Sequence, residues 1–151
     1  MKVITVGIAS QFYTLPLSDY ALGVFEYTGI DGRLFAAALD VNGQLITTAN
    51  SAKAGQYISV YANGLGPVNN RPASGSLSPS APLADSTSLP AISATLGGKP
   101  VQIAFSGLAP NYVALYQLNL VIPADMTSGV FPLVITGNGI ASKSTLLAVS
   151  P

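Results

Sequence analysis

Cysteine, histidine and tryptophan are all absent from the 151 residues. Without cysteine there is no disulfide framework, and the redox compartment is not written in the chain. Losing histidine as well removes the usual general base, the thiol nucleophile and the commonest zinc ligands together. A Ser–His–Asp triad cannot be assembled from these residues. Charge is equally scarce. Six basic and six acidic residues make up 8% of the chain and cancel to a formal net charge of zero, where soluble domains carry roughly a quarter charged residues. The cations Lys2, Arg33, Lys53, Arg71, Lys99 and Lys143 are scattered. With no basic stripe, neither nucleic acid nor an anionic membrane surface is an expected partner. No apolar run approaches the roughly 20 residues of a transmembrane helix, so no membrane insertion is expected.

What remains is a chain of single-domain length, able to bury one core. Its solubility must come from Ser, Thr, Asn, Gln and Gly, a composition common in secreted and cell-surface β proteins. An extracellular or cell-surface setting is therefore expected. A net charge near zero also lowers the barrier to self-association. The opening "MKVITVGIASQFYTLP" has the lysine and apolar run of a signal peptide. Its run VITVGIA sits at the lower limit of length, and no small-x-small cleavage site follows. It reads as a β-strand.

Helical periodicity is nearly absent, and strand signals recur every eight to twelve residues or so, as in a sandwich or barrel. The dipeptides Asp31-Gly32, Asn42-Gly43, Asn63-Gly64, Gly97-Gly98 and Asn138-Gly139 supply the positive φ angles of tight hairpins. Between them, strands are predicted near 3–9, 22–28, 33–39, 56–62, 91–96, 100–106, 112–122, 130–136 and 140–149. The predicted fold class is all-β: an antiparallel sandwich of Greek-key type with about 7–9 strands. Residues 66–90 are rich in Pro, Ser and Ala and lack alternation. They read as a long surface crossover between sheets, pinned to the body by Leu77, Leu83 and Leu89.

Candidate chemistry is thin. A glycosidase needs two carboxylates across a cleft, and Glu26 with Asp19, Asp31, Asp40, Asp85 or Asp125 could be nominated. Most of these stand in predicted turns, where Asp is favoured structurally. No calcium-loop spacing occurs, and "GLG" and "GNG" read as turns because they lack the strand–helix context of a phosphate loop. No catalytic residue, metal site or cofactor is expected. The strand "YVALYQLNLVI" places Gln117 and Asn119 among apolar residues. Two readings stand side by side: amides that bond loop backbone and fix the architecture, or a sugar-binding pair beside Tyr112 or Tyr116. Residues Tyr112, Gln117 and Asn119 are thus the candidate ligand surface.

Two stretches carry a resemblance: "SAKAGQYISVYANGLGPV" (51–68) and "LGGKPVQIAFSGLAPNYVALYQLNLVIPADMTSGVFPLVI" (96–135). Together they resemble the C-terminal β-sandwich domain, of uncharacterised function, that recurs in large secreted proteins of Acidobacteria such as Solibacter. Matching residues include Gly64, Gly66, Gly97, Gly98, Gly107, Pro110, Leu115, Tyr116, Gln117, Asn119 and Pro123. The resemblance runs from about residue 20 to the C-terminus. Asn111 and Ala114 depart from it, standing where that family usually has Gly. It implies an immunoglobulin-like sandwich in an extracellular setting, and no catalytic residues.

Residues 1–19 then read as an N-terminal strand and spacer, and residues 20–151 as the sandwich domain. Ile4, Val6 and Ile8 would share one face of an unprotected apolar strand. Such a strand, beside a sandwich with open edges, is suited to strand addition between subunits. The expected function is a non-catalytic structural module that self-assembles into a cell-surface fibre or lattice, with copies of itself or other surface proteins as partners. The alternative is a carbohydrate-binding or adhesion module of a larger secreted protein, with polysaccharide as partner.

Overall fold

Strands form where apolar side chains recur at every second residue, and the Asn-Gly and Asp-Gly turns separate them. The computed structural model describes residues 3–86 and 92–151. An N-terminal pair, β1 (Ile4–Thr5) and β2 (Ile8–Ala9), stands by itself. The body begins with β3 (Gly23–Val24), β4 (Glu26–Thr28), β5 (Leu34–Ala36) and β6 (Ala38–Leu39). It continues with β7 (Ala52–Lys53), β8 (Tyr57–Asn63), β9 (Ile92–Leu96) and β10 (Lys99–Leu108). Then follow β11 (Tyr116–Val121), β12 (Gly129–Gly137), β13 (Ile140–Ala141) and β14 (Thr145–Ser150). The fold is all-β, with no helix among the described residues.

The body is one twelve-stranded sheet whose main path runs β3-β8-β11-β10-β9-β12-β14-β5-β4. Pairing is antiparallel throughout except where β14 meets β5 and β7 in parallel. The two ends of the path are the same stretch of chain, because β3 and β4 flank Phe25. There the Phe25 N–H donates to the Tyr61 carbonyl at 3.0 Å, while the Phe25 carbonyl accepts from Ala37 N–H at 2.7 Å. This stretch joins the sheet's ends, and the sheet nearly closes into a barrel. Strand β10 also spans two partners. Its residues Lys99–Val101 pair with β9 and Gln102–Leu108 with β11, across a register shift between Ile103 and Phe105. A bulge bends a strand and increases its twist, which is what closure demands.

The inward side chains fill the interior. Ile58, Val60, Leu96, Leu118, Leu120, Leu133, Ile135 and Leu147 are each at most 2% exposed. Burying one such aliphatic side chain stabilises by about 1.5–3 kcal/mol. Residues 20 and 21 seal one end. The Ala21 N–H donates to the Gly64 carbonyl at 3.0 Å, and a Cβ at Gly64 would land on the Ala21 carbonyl. A Cβ at Gly66 would likewise strike the Tyr20 ring. The sequence "GLG" is therefore not a hairpin turn but a seat for the incoming chain.

Four expectations need correction. Residues 3–9 are not one strand, since Val6 (φ 50°) and Gly7 (φ 77°) turn the chain back. Positive φ at both positions is the requirement of a two-residue hairpin turn. Ile4 then pairs with Ala9 and Thr5 with Ile8, so Ile4, Val6 and Ile8 do not share a face. The strand expected over 112–122 starts only at Tyr116, because Asn111 (φ 65°) and Ala114 (φ 55°) are left-handed. In the crossover Leu77 and Leu83 are exposed, and Leu89 lies outside the described residues. Ala84 and Ser86 anchor that segment instead. Leu108 N–H donates to the Ala84 carbonyl at 2.8 Å, and Ser86 N–H donates to the Ser106 carbonyl at 2.7 Å. Finally, the near closure of the body leaves fewer open edges than a simple sandwich would offer.

Candidate functional site

Strands β8 and β11 place their outward side chains in register: Tyr61 opposite Gln117, Ser59 opposite Asn119, and Tyr57 opposite Val121. Alternation in "YISVYAN" sends Ile58, Val60 and Ala62 inward, which leaves two tyrosines and a serine on the outer face. The amides bond to their neighbours on that face and not to loop backbone. Gln117 Nε2 donates to Asn119 Oδ1 at 2.8 Å, and Ser59 Oγ donates to the same oxygen at 3.1 Å. A longer contact runs from Gln117 Nε2 to Ser59 Oγ at 3.4 Å. All three side chains are half-buried.

Beside them, Asp40, Val41, Tyr57, Ile58, Ser59 and Asn119 line a cleft of about 230 Å³. Asp40 belongs to the Asn42-Gly43 turn. Its Oδ1 accepts the Asn42 N–H at 2.8 Å and the Gln44 N–H at 2.9 Å. These bonds, the one from Gln44 foremost, hold its carboxyl below the ordinary range. Among the described residues, its second oxygen meets Asn50 Nδ2, at 3.4 Å.

Tyr112, the third sequence candidate, sits on the loop before β11 and is exposed. On the face itself, the Tyr61 phenol is pushed up by burial and secondarily by Tyr112. The structure thus unites Gln117 and Asn119 and sets Tyr112 at the margin. Sequence reasoning weighed Asp40 only as a turn carboxylate and Tyr57 only as one of seven tyrosines, mostly in strands, and it did not single out Ser59. The signal for Ser59 was present in the alternation of β8, but its position opposite Asn119 depends on a pairing that no local pattern specifies.

A second cleft, about 430 Å³, opens at the loop end among residues that include Asp19, Asn63, Gly66, Arg71 and Tyr116. The Tyr116 hydroxyl donates to the Gly66 carbonyl. Burial pushes this phenol up, with the positive charge of Arg71 pulling the other way. Two of the nominated carboxylates are held in surface ion pairs. Asp31 pairs with Arg33 at 2.7 Å and Asp125 with Lys99 at 2.6 Å. No group of three His, Cys, Asp or Glu residues suited to a metal ion occurs among the described residues. Set against protein-family models, curated proteins and solved structures, the chain matches none.

Proposed function

We propose that this chain is a non-catalytic extracellular structural module that joins copies of itself, or other surface proteins, into a cell-surface fibre or lattice. The observation that carries this reading is the N-terminal arm. Ile4, Val6, Ile8, Phe12 and Leu17 are exposed on it, Val6 to 95%, and its hairpin pairs with no strand of the body among the described residues. Exposed apolar side chains in such number mark a surface that a partner covers. An isolated two-stranded hairpin is marginal in water, so the arm can reopen at Val6–Gly7 and add to a neighbour. A net charge of zero leaves little repulsion to oppose the contact.

The body is read as an immunoglobulin-like sandwich of Greek-key type. The parallel pairing of the last strand with early ones, and the strands that pass between partners at Phe25 and in β10, support it. Membership of the Solibacter-type domain family belongs to the same proposal. In its favour, Asn111 and Ala114 adopt positive φ at the two positions where that family places Gly. The test is the oligomeric state of the untagged protein at rising concentration, by light scattering and negative-stain microscopy. Full-length protein is expected to polymerise, and a chain lacking residues 1–10 to be a folded monomer. A full-length monomer at high concentration, or a truncated polymer, would refute the proposal.

A further inference from the structure

We infer that the cleft lined by Asp40, Tyr57, Ser59 and Asn119 is a subsite for one pyranose ring of a neutral polysaccharide. The inference is independent of assembly through the arm. Its first support is an oriented, unused donor pair. Asn119 Oδ1 accepts from both Gln117 and Ser59, which fixes the amide's orientation. The Nδ2 group has no partner among the described residues, and it belongs to a residue that lines the cleft. An amide nitrogen carries two N–H donors, and here neither is used by a described residue.

An acceptor lies on the same cleft. Each carboxylate oxygen can accept two hydrogen bonds, and among the described residues Asp40 Oδ2 holds only the long contact from Asn50. Its backbone bonds fix the carboxylate without exhausting it. Paired hydroxyls on adjacent ring carbons offer both a donor and an acceptor, the complement of Asn119 and Asp40. Tyr57 supplies the third element. Its side chain is 53% exposed, and an aromatic face packs against the C–H face of a sugar ring while the phenol remains wet.

The same features select the ligand class. The cleft's one charged lining residue is an anion, which disfavours uronic acids and sulfated sugars. An extended peptide adding to the sheet would need a free edge, yet β8 is paired on one side with β11 and on the other with β3 and β6. Polymer is favoured over free sugar because the outer face continues past the cleft to Gln117, whose Oε1 accepts no bond among the described residues, and to Tyr61. The larger cleft at the loop end is less suited, since its Tyr116 hydroxyl is committed to Gly66.

The test is affinity electrophoresis of the full chain through gels cast with mixed-linkage β-glucan, xylan or galactomannan, with a polyuronate gel beside them. At least one neutral gel is expected to retard the protein and the polyuronate gel to leave it unaffected. Tyr57→Ala and Asn119→Asp should each weaken retention about tenfold or more, with Tyr57→Phe close to wild type. Because Tyr57 is exposed, its variants keep the fold, and an unchanged melting curve verifies this. Retention of the wild type with Tyr57→Ala unaffected would place any glycan site elsewhere and overturn the subsite. Loss on Tyr112→Ala alone would move the site to the loop end and overturn it too. A wild type that no neutral gel retards would end the idea of glycan binding altogether.

Discussion

Gln117 and Asn119, two residues apart on one face of β11, are bonded to each other, with Gln117 Nε2 donating to Asn119 Oδ1 at 2.8 Å. The bond crosses no strand. Ser59 of β8 adds the cross-strand link at 3.1 Å, so the amides tie β11 to β8 from outside the barrel. The Oδ1 end of Asn119 thus links the two strands, while its Nδ2 group has no partner among the described residues.

Inward from this face, Leu118 is fully buried between two outward-pointing amides. Leu118→Ala removes buried methyl groups and leaves a cavity, at an expected cost of about 2–5 kcal/mol. Gln117→Ala breaks a half-exposed hydrogen bond and should cost about 1 kcal/mol. Urea unfolding with fluorescence detection compares the two. A Leu118→Ala midpoint equal to that of the wild type would mean that the strand faces the other way.

Ala114 is held at φ 55° in the loop before β11. For an L-residue with a plain Cβ the left-handed conformation costs roughly 1–2 kcal/mol, whereas glycine adopts it freely at an entropic cost of about 0.5–1 kcal/mol. Ala114→Gly should therefore stabilise the fold by up to about 1 kcal/mol. Asn111→Gly, at φ 65°, should change less, because asparagine tolerates this region. A lowered melting temperature for Ala114→Gly would contradict the account.

The same loop marks where the sequence stops being readable. Strands β8, β9, β10 and β12 follow from local alternation, since each has one inward face, whereas the strand expected over 140–149 divides into β13 and β14. Turns such as Asn138-Gly139, with φ 48° and 78°, follow from residue type. Period two also runs through residues 112–115, but the left-handed Ala114 breaks the strand there, and alanine gives no warning of it. Closure at Phe25 was equally hidden, because it depends on one stretch of chain finding both Tyr61 and Ala37. For the candidate site, Gln117 and Asn119 stood out as polar residues in an apolar strand. Asp40 was visible only as a turn carboxylate and Tyr57 only as a strand tyrosine, because the cleft they share with Asn119 exists only once β8 lies against β11.

The pH profile tests the electrostatics of the whole fold. Asp31, Asp40 and Asp125 have folded pKa values below their ordinary 3.8, lowered chiefly by hydrogen bonds from Arg33, Gln44 and Lys99 respectively. A lowered pKa contributes stability that is present above the unfolded value and lost as pH falls through the folded one. Stability should therefore decline below about pH 4, and only gently, because all three carboxylates are exposed and screened. Tyr27, Tyr61 and Tyr116 are raised above 10.0, in each case chiefly by burial. Their contribution is complete below 10.0 and is lost as pH rises through the higher folded values. Between these limits the chain lacks histidine and cysteine, the side-chain types whose ordinary pKa values lie closest to neutrality. Urea midpoints measured across the range should form a plateau from about pH 5 to 9 that falls at both ends. Asp40→Asn should flatten the acid limb and leave the alkaline limb alone, and Tyr116→Phe should do the reverse. An inflection near pH 6 or 7 would be incompatible with this set of titrating side chains.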